Sequence, residues 1–222
     1  MAVFRIAARA GPGLSGQLEA ARKLYASLAP KYDDETRYIT GIRKLAIEAL
    51  QLKPGETVLD AGCGTGWCLP FLAESVGVDG RVFGFEPSPE MLALAESRVK
   101  RGSMTNVSLQ CASGTDARLA SPPDAILFSY THDLIRNRAA LENIFRQART
   151  GTRIVAASTK LFPAWFFIGN WYLRRTHRVT ITNFESFDRP WTLLAEFCTQ
   201  HQVKITVPGS RYVFTGTLDQ AA

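Results

Sequence analysis

The residues best equipped for chemistry lie in one short run, Val58-Leu59-Asp60-Ala61-Gly62-Cys63-Gly64-Thr65-Gly66. An apolar stretch ends in an acid, and glycines then stand at alternate positions. Glycine has no Cβ, so such a loop turns tightly and lets a ligand come close to the backbone. In open α/β sheets, this place at the carboxyl end of a strand is where ligands bind. Two phosphate-binding patterns are excluded. The dinucleotide fingerprint G-x-G-x-x-G would need glycine at position 67, where the chain has Trp67, and a P-loop would need Gly-Lys-Ser/Thr. Asp60 immediately before the loop would also repel a phosphate.

A ligand carrying positive charge suits that acid better. About twenty residues on, a second strand-like run ends in Phe83-Gly84-Phe85-Glu86, and a carboxylate placed there can accept both hydroxyls of a ribose. S-adenosylmethionine (SAM) offers a sulfonium, an ammonium and a ribose. The run Glu56-Thr57-Val58-Leu59-Asp60-Ala61-Gly62-Cys63-Gly64-Thr65-Gly66 resembles motif I of the class I, Rossmann-like SAM-dependent methyltransferases, and Gly84-Phe85-Glu86-Pro87-Ser88-Pro89-Glu90-Met91-Leu92 resembles the motif that follows it. The resemblance is close over residues 50–160 and topological elsewhere.

It implies that Gly62 and Gly64 lie against the methionine portion, Asp60 near its amino group, Glu86 on the ribose and Met91 beside adenine. Cys63, Pro87, Gly114 and Ser129 are assigned to the same cofactor site. Where the family often has Gly-Asp-Ala, this chain has Ala112-Ser113-Gly114-Thr115-Asp116, so Ser113 and Asp116 both remain candidates for the adenine amine.

The fourth strand-like run ends in Phe128-Ser129-Tyr130-Thr131-His132-Asp133, and the resemblance places that end beside the transferable methyl. The Asn/Asp-Pro-Pro-Tyr/Phe motif of adenine and amide N-methyltransferases is missing there, as is the Pro-Cys nucleophile of cytosine-C5 enzymes. A nucleic-acid acceptor is thereby disfavoured. Proximity and orientation can supply on the order of 7–11 kcal/mol in such a transfer, and a base is needed only for acidic or protonated nucleophiles. His132 is the candidate base because an ordinary imidazole titrates near neutrality; the alternative is that it caps or packs. Tyr130 is assigned to the acceptor.

Two variable regions flank this frame. In front, Tyr25, Tyr32 and Tyr38 surround Lys31-Tyr32-Asp33, an element of the kind that quinone-biosynthesis and phospholipid methyltransferases carry in an N-terminal lid. Tyr32 is assigned to closing that lid over the reacting groups. Behind, Leu161-Phe162-Pro163-Ala164-Trp165-Phe166-Phe167 leads to Asn170-Trp171-Tyr172-Leu173-Arg174-Arg175. Three readings compete: an apolar acceptor pocket using Trp165, Trp171 and Arg174, ordinary core of an insertion, or an interfacial segment on an anionic membrane.

The elements that must position these residues alternate. Strands are expected at Thr57–Ala61, Arg81–Glu86, Val107–Ala112, Asp124–Tyr130 and Arg153–Ser158, with helices at Trp67–Ser75, Pro89–Arg101 and Arg138–Arg149. Helices are also expected at Gln17–Ala29, Glu35–Leu52 and Pro190–Gln200, and a hairpin around Pro208-Gly209-Ser210. Such alternation specifies an α/β three-layer sandwich: a mostly parallel seven-stranded sheet with helices on both faces and an antiparallel C-terminal strand. Residues 1–52 are read as an arm plus lid helices, and residues 53–222 as the methyltransferase domain with an insertion at about 160–188.

Composition sets the outer limits. With 222 residues, 46% of them hydrophobic, the chain suits one domain with a full core. Its net charge of +6 favours anionic partners without bearing on the fold. Cys63, Cys68, Cys111 and Cys198 are scattered, so no metal site or disulfide framework is expected and a reducing cytoplasm fits, with peripheral membrane contact left open. The expected activity is methyl transfer from SAM to a small, partly apolar or acidic acceptor at N, O or C, releasing S-adenosylhomocysteine. A membrane-surface lipid head-group N-methyltransferase and a non-catalytic SAM-binding subunit are the alternatives.

Overall fold

The computed structural model describes residues 32–177, 187–206 and 209–219. The helix expected at Gln17–Ala29, the arm before it and Tyr25 lie outside them. The four parallel strands nearest the site are apolar along almost their whole length, because both sheet faces are covered. They are β1 (Thr57–Ala61), β2 (Arg81–Glu86), β4 (Ala125–Ser129) and β5 (Arg153–Thr159), with the more exposed β3 (Val107–Cys111) beside β2. The sheet order is β3-β2-β1-β4-β5-β7-β6, where β6 is Cys198–Thr206 and β7 is Arg211–Leu218. The order reverses between β1 and β4, and the glycine loop leaves β1 at that switch point.

Alternation along the strands separates two cores. Val58, Val82, Leu127, Val155 and Val213 point to one face, which is covered by α2 (Thr40–Ala49) and α3 (Leu69–Val76). Leu59, Phe85, Ile126, Phe128, Ile154 and Phe214 point to the other, where α5 (Arg138–Phe145) contributes Leu141, Ile144 and Phe145. Ahead of α2 stand the short α1 (Tyr32–Glu35) and a 3-10 turn (Arg37–Ile39). The single helix expected over Glu35–Leu52 is therefore broken. Its α2 part buries Ile42, Ala46 and Ile47 in the main core, so this segment covers the sheet.

Local chemistry sets the ends of α4 (Pro89–Arg101). Ser88 caps it, accepting from the Met91 N–H at 3.4 Å, Pro89 opens it, and Arg98, Lys100 and Arg101 fill its last turn. The helix expected to reach Arg149 stops at Phe145. Beyond it the amides of Gln147 and Ala148 bond three residues back, to Ile144 and Phe145, which tightens the chain out of α geometry.

The C-terminal part departs from the expectation. Only α7 (Thr192–Ala195) is helical within Pro190–Gln200, because the chain enters β6 at Cys198 to pair with β7. Between Thr199 and Gln202 the register slips, and Gln200 takes a left-handed φ of 48°. β7 runs antiparallel between β5 and β6, and β6 forms the polar outer edge. The insertion expected at about 160–188 includes α6 (Phe167–His177). Among the described residues no helix is long and apolar enough to cross a membrane.

Candidate active site

The carboxyl ends of β1, β2 and β4, with the loops that follow them, surround one cavity of about 460 Å³. Asp60, Gly62, Cys63 and Gly64 form its wall after β1; Glu86, Pro87 and Met91 enter after β2. Ser113 and Gly114 line it after β3, and Ser129, Tyr130 and His132 after β4. Residues far apart in sequence thus meet because each ends a neighbouring strand.

Gly62 carries a φ of +74°, and a Cβ there would lie 2.7 Å from Thr131 Cγ2. Only glycine lets the β1 loop pass so close to the β4 loop. Glu86 is braced from two sides: its carboxylate accepts the Gly64 N–H at 3.1 Å and the Ser88 N–H at 2.9 Å. Burial raises the Glu86 pKa, while those two amides oppose the rise.

Asp60 is 1% exposed, and its Oδ2 has no hydrogen-bond partner among the described residues. Burial pushes its pKa from 3.8 up to about 7, opposed by the nearby Arg43 guanidinium and reinforced by Glu86. A buried carboxylate oxygen without a partner costs free energy, and an ammonium donor would satisfy it. The residues present therefore fit SAM: Asp60 for its ammonium and the braced Glu86 for its ribose diol.

The two adenine candidates after the third strand share one loop. The Ser113 hydroxyl donates to the Asp116 carboxylate, so the two candidates form one unit, and both line the cavity. Asn143 holds this loop by donating to the carbonyls of Gly114 at 3.0 Å and Ala117 at 3.1 Å. Gly114 packs tightly against α5: a Cβ there would lie 2.9 Å from the Ala140 Cβ.

At the far end stand Tyr130 and His132. Tyr130 takes a left-handed φ of 61°, uncommon for a bulky residue. Burial pushes its phenol up to about 12, so it stays protonated. The His132 ring has both Nδ1 and Nε2 within 3.0–3.1 Å of Ser158 Oγ, and it lies 5.1 Å from the Phe187 ring, centroid to centroid.

Sequence reasoning missed two contributors. Arg43 of α2 is 5% exposed, lines the cavity, and sits 5.3 Å over the Trp67 ring and 5.9 Å over the Tyr130 ring. Nothing local marks it, since an arginine in an amphipathic helix ordinarily faces solvent. The second is Asp33, whose carboxylate accepts from the Thr65 hydroxyl at 2.6 Å and pairs with Arg98, while Arg98 Nε donates to the Thr65 carbonyl at 3.1 Å. That clamp ties the N-terminal segment to the glycine loop and α4.

Three residues assigned to the acceptor lie elsewhere. Trp165 is 78% exposed and Trp171 63%, and neither they nor Arg174 line the cavity. The reason is packing: α6 buries Leu173 against Leu161 and Phe187, which turns its remaining large side chains outward. Tyr32 opens α1, with its side chain outside the described residues; Tyr38 is 55% exposed under Arg211.

Comparison with known proteins agrees with this geometry. The sequence model of a family described as a methyltransferase domain matches residues 58–151. A protein-L-isoaspartate O-methyltransferase of Methanococcus aeolicus is 35% identical over 121 residues, 53% of this chain and 54% of that protein. A demethylmenaquinone methyltransferase of Listeria welshimeri is 26% identical over 167 residues, 70% of each chain. The chain thus spans about half the length of the first of these relatives and 70% of the second. A SAM-dependent methyltransferase from Aquifex aeolicus shares the fold, with a TM-score of 0.60 at 20% identity, covering 87% of this chain and 98% of that one. The sheet order and the cavity at its switch point define a Rossmann-like α/β fold with a ligand site. Residues 58–151 match a methyltransferase domain, and the chain shares the fold of that solved SAM-dependent methyltransferase.

Proposed function

We propose that this enzyme methylates a small, partly apolar acceptor that enters at the Tyr130–His132 end of the cavity. When bound, SAM would supply a methyl carbon on a sulfonium, open to in-line attack by an acceptor nucleophile with S-adenosylhomocysteine as the leaving group. In this reading Asp60 holds the ammonium, Glu86 the ribose hydroxyls and Met91 the adenine face. Arg43, with its guanidinium in the cavity wall, balances the negative charge of Asp60 and of the cofactor carboxylate.

The observation that carries the proposal is the meeting of two differently prepared carboxylates in one cavity. Asp60 has a bare buried oxygen, and Glu86 is fixed by two backbone amides. The acceptor end is supported by Tyr130 and His132 in the cavity wall, with Phe187 packed against the His132 ring, which suits a ring or short apolar body. The likeness to a demethylmenaquinone methyltransferase supports a small-molecule acceptor. His132, held by Ser158, is the group we assign to accept a proton from the nucleophile when one must leave.

The test is transfer of a labelled methyl from SAM into a whole-cell extract, followed by identification of the labelled product. A labelled small apolar compound is expected; label found only in protein or nucleic acid would overturn the reading. His132→Ala should cut turnover on that product about 10²-fold or more and leave S-adenosylhomocysteine affinity unchanged.

A further inference from the structure

The exposed side chains of α6 and of the loop before it form a platform that the methyl-transfer chemistry leaves unused. Trp165, Phe167, Ile168, Trp171 and Tyr172 are each between 63% and 78% exposed. Contiguous apolar surface of this kind marks an interaction site. Its shape is preformed. The Phe162 N–H donates to Asn170 Oδ1 at 2.8 Å, Asn170 Nδ2 donates back to the Phe162 carbonyl at 3.2 Å, and the Phe162 and Phe166 rings pack edge to face at 5.1 Å.

Charge selects the occupant. Residues 160–177 contain Lys160, Arg174 and Arg175 and no acidic residue, within a chain of net charge +6. Arg174 and Arg175 are exposed, and Arg175 lies 5.9 Å over the Trp171 ring. Tryptophan, tyrosine and arginine together are the residues that favour the headgroup level of a bilayer, where each presents an apolar body and a polar tip. An acid-free surface that exposes aromatics and arginines together suits the plane of an anionic interface. Position adds a reason: buried Leu173 contacts Phe187, and the Phe187 ring packs on His132 at the acceptor end. Two packed side chains, Leu173 and Phe187, therefore separate the platform from that end.

We propose that α6 and residues 162–166 dock this enzyme onto an anionic lipid surface, with Trp165, Trp171 and Tyr172 in the headgroup layer and Arg174 and Arg175 against lipid phosphates. The claim concerns the surface and does not depend on which acceptor is methylated.

The full chain is tested by co-sedimentation with phosphatidylcholine vesicles with and without phosphatidylglycerol, at low and high salt. Binding is expected only with phosphatidylglycerol, and weaker at high salt. Arg174→Glu/Arg175→Glu should weaken it about tenfold or more, and Ile168→Ser/Trp171→Ser should abolish it. S-adenosylhomocysteine affinity, measured on each variant, should stay unchanged, which shows that the variants are folded and separates this claim from the cofactor reading. Three results would overturn the proposal: no association at low salt, equal binding to neutral vesicles, or variants that bind like the parent. So would a dimer in sedimentation velocity that the same substitutions disperse, because the platform would then be covered by a second copy of the chain.

Discussion

The loop after β1 and the helix α6 are both conspicuous in the sequence, one by its glycines and the other by its aromatics. The structure uses them in opposite ways. The loop's side chains and amides turn inward onto one cavity, and Asp60 is left with a bare oxygen there. The helix turns a single leucine inward and most of its large side chains outward. A glycine-and-acid pattern constrains backbone path and charge together, so few geometries satisfy it. A run of aromatics constrains only that apolar area be covered, and either a pocket, a core or a partner surface can do that.

Substitutions that separate the two regions sharpen the contrast. The largest effect is expected inside α6: Leu173→Ala should cost about 2 kcal/mol or more of stability by opening a cavity against Phe187. Trp171→Ala on the same helix should stay within about 0.5 kcal/mol. Chemical denaturation reads both, and equal costs would mean that the helix packs the other way round.

In the donor region, Asp60→Ala and Glu86→Ala should each weaken SAM binding at least about tenfold, equivalent to about 1.4 kcal/mol, with little loss in folded fraction. Calorimetry that finds unchanged affinity would remove the cofactor site from this loop.

The pH dependence follows from Asp60, whose pKa burial raises from 3.8 to about 7. Its ionised form binds the ammonium, so affinity should be flat above pH 7 and fall below it by up to about tenfold per pH unit. Ligand-free stability has the opposite dependence. Between about pH 4 and 7 the native state keeps a proton that the unfolded chain releases, so stability declines as pH rises through that window and levels off above it. Asp60→Asn should erase both trends in titrations of affinity and of melting temperature.

The smallest effect is expected at the clamp. The Asp33–Arg98 pair is partly solvent-exposed, so Asp33→Ala should change stability by less than about 1 kcal/mol, and by less still at high salt. Cofactor release, followed by stopped flow, should nevertheless accelerate, because Thr65 loses the carboxylate that holds its hydroxyl.

Legibility tracked sequence distance. Arg81–Glu86 and Pro89–Arg101 match their expected limits because strand periodicity and the Ser88-Pro89 start are local signals. Pro190–Gln200 misled because its apolar spacing fits a helix, while its partner strand β7 begins more than ten residues later. Arg43 and Asp33 were opaque for the same reason: Asp33 meets partners 32 and 65 residues away.

By itself the sequence determined the α/β alternation, the glycine turn and the two carboxylates at successive strand ends, because each is written in a few adjacent residues. The tertiary structure alone decided three things. Arg43 is buried beside Asp60, the N-terminal segment is clamped to the loop, and the aromatic helix faces out. All three depend on which surfaces meet when distant elements pack on one sheet, and no local pattern encodes that.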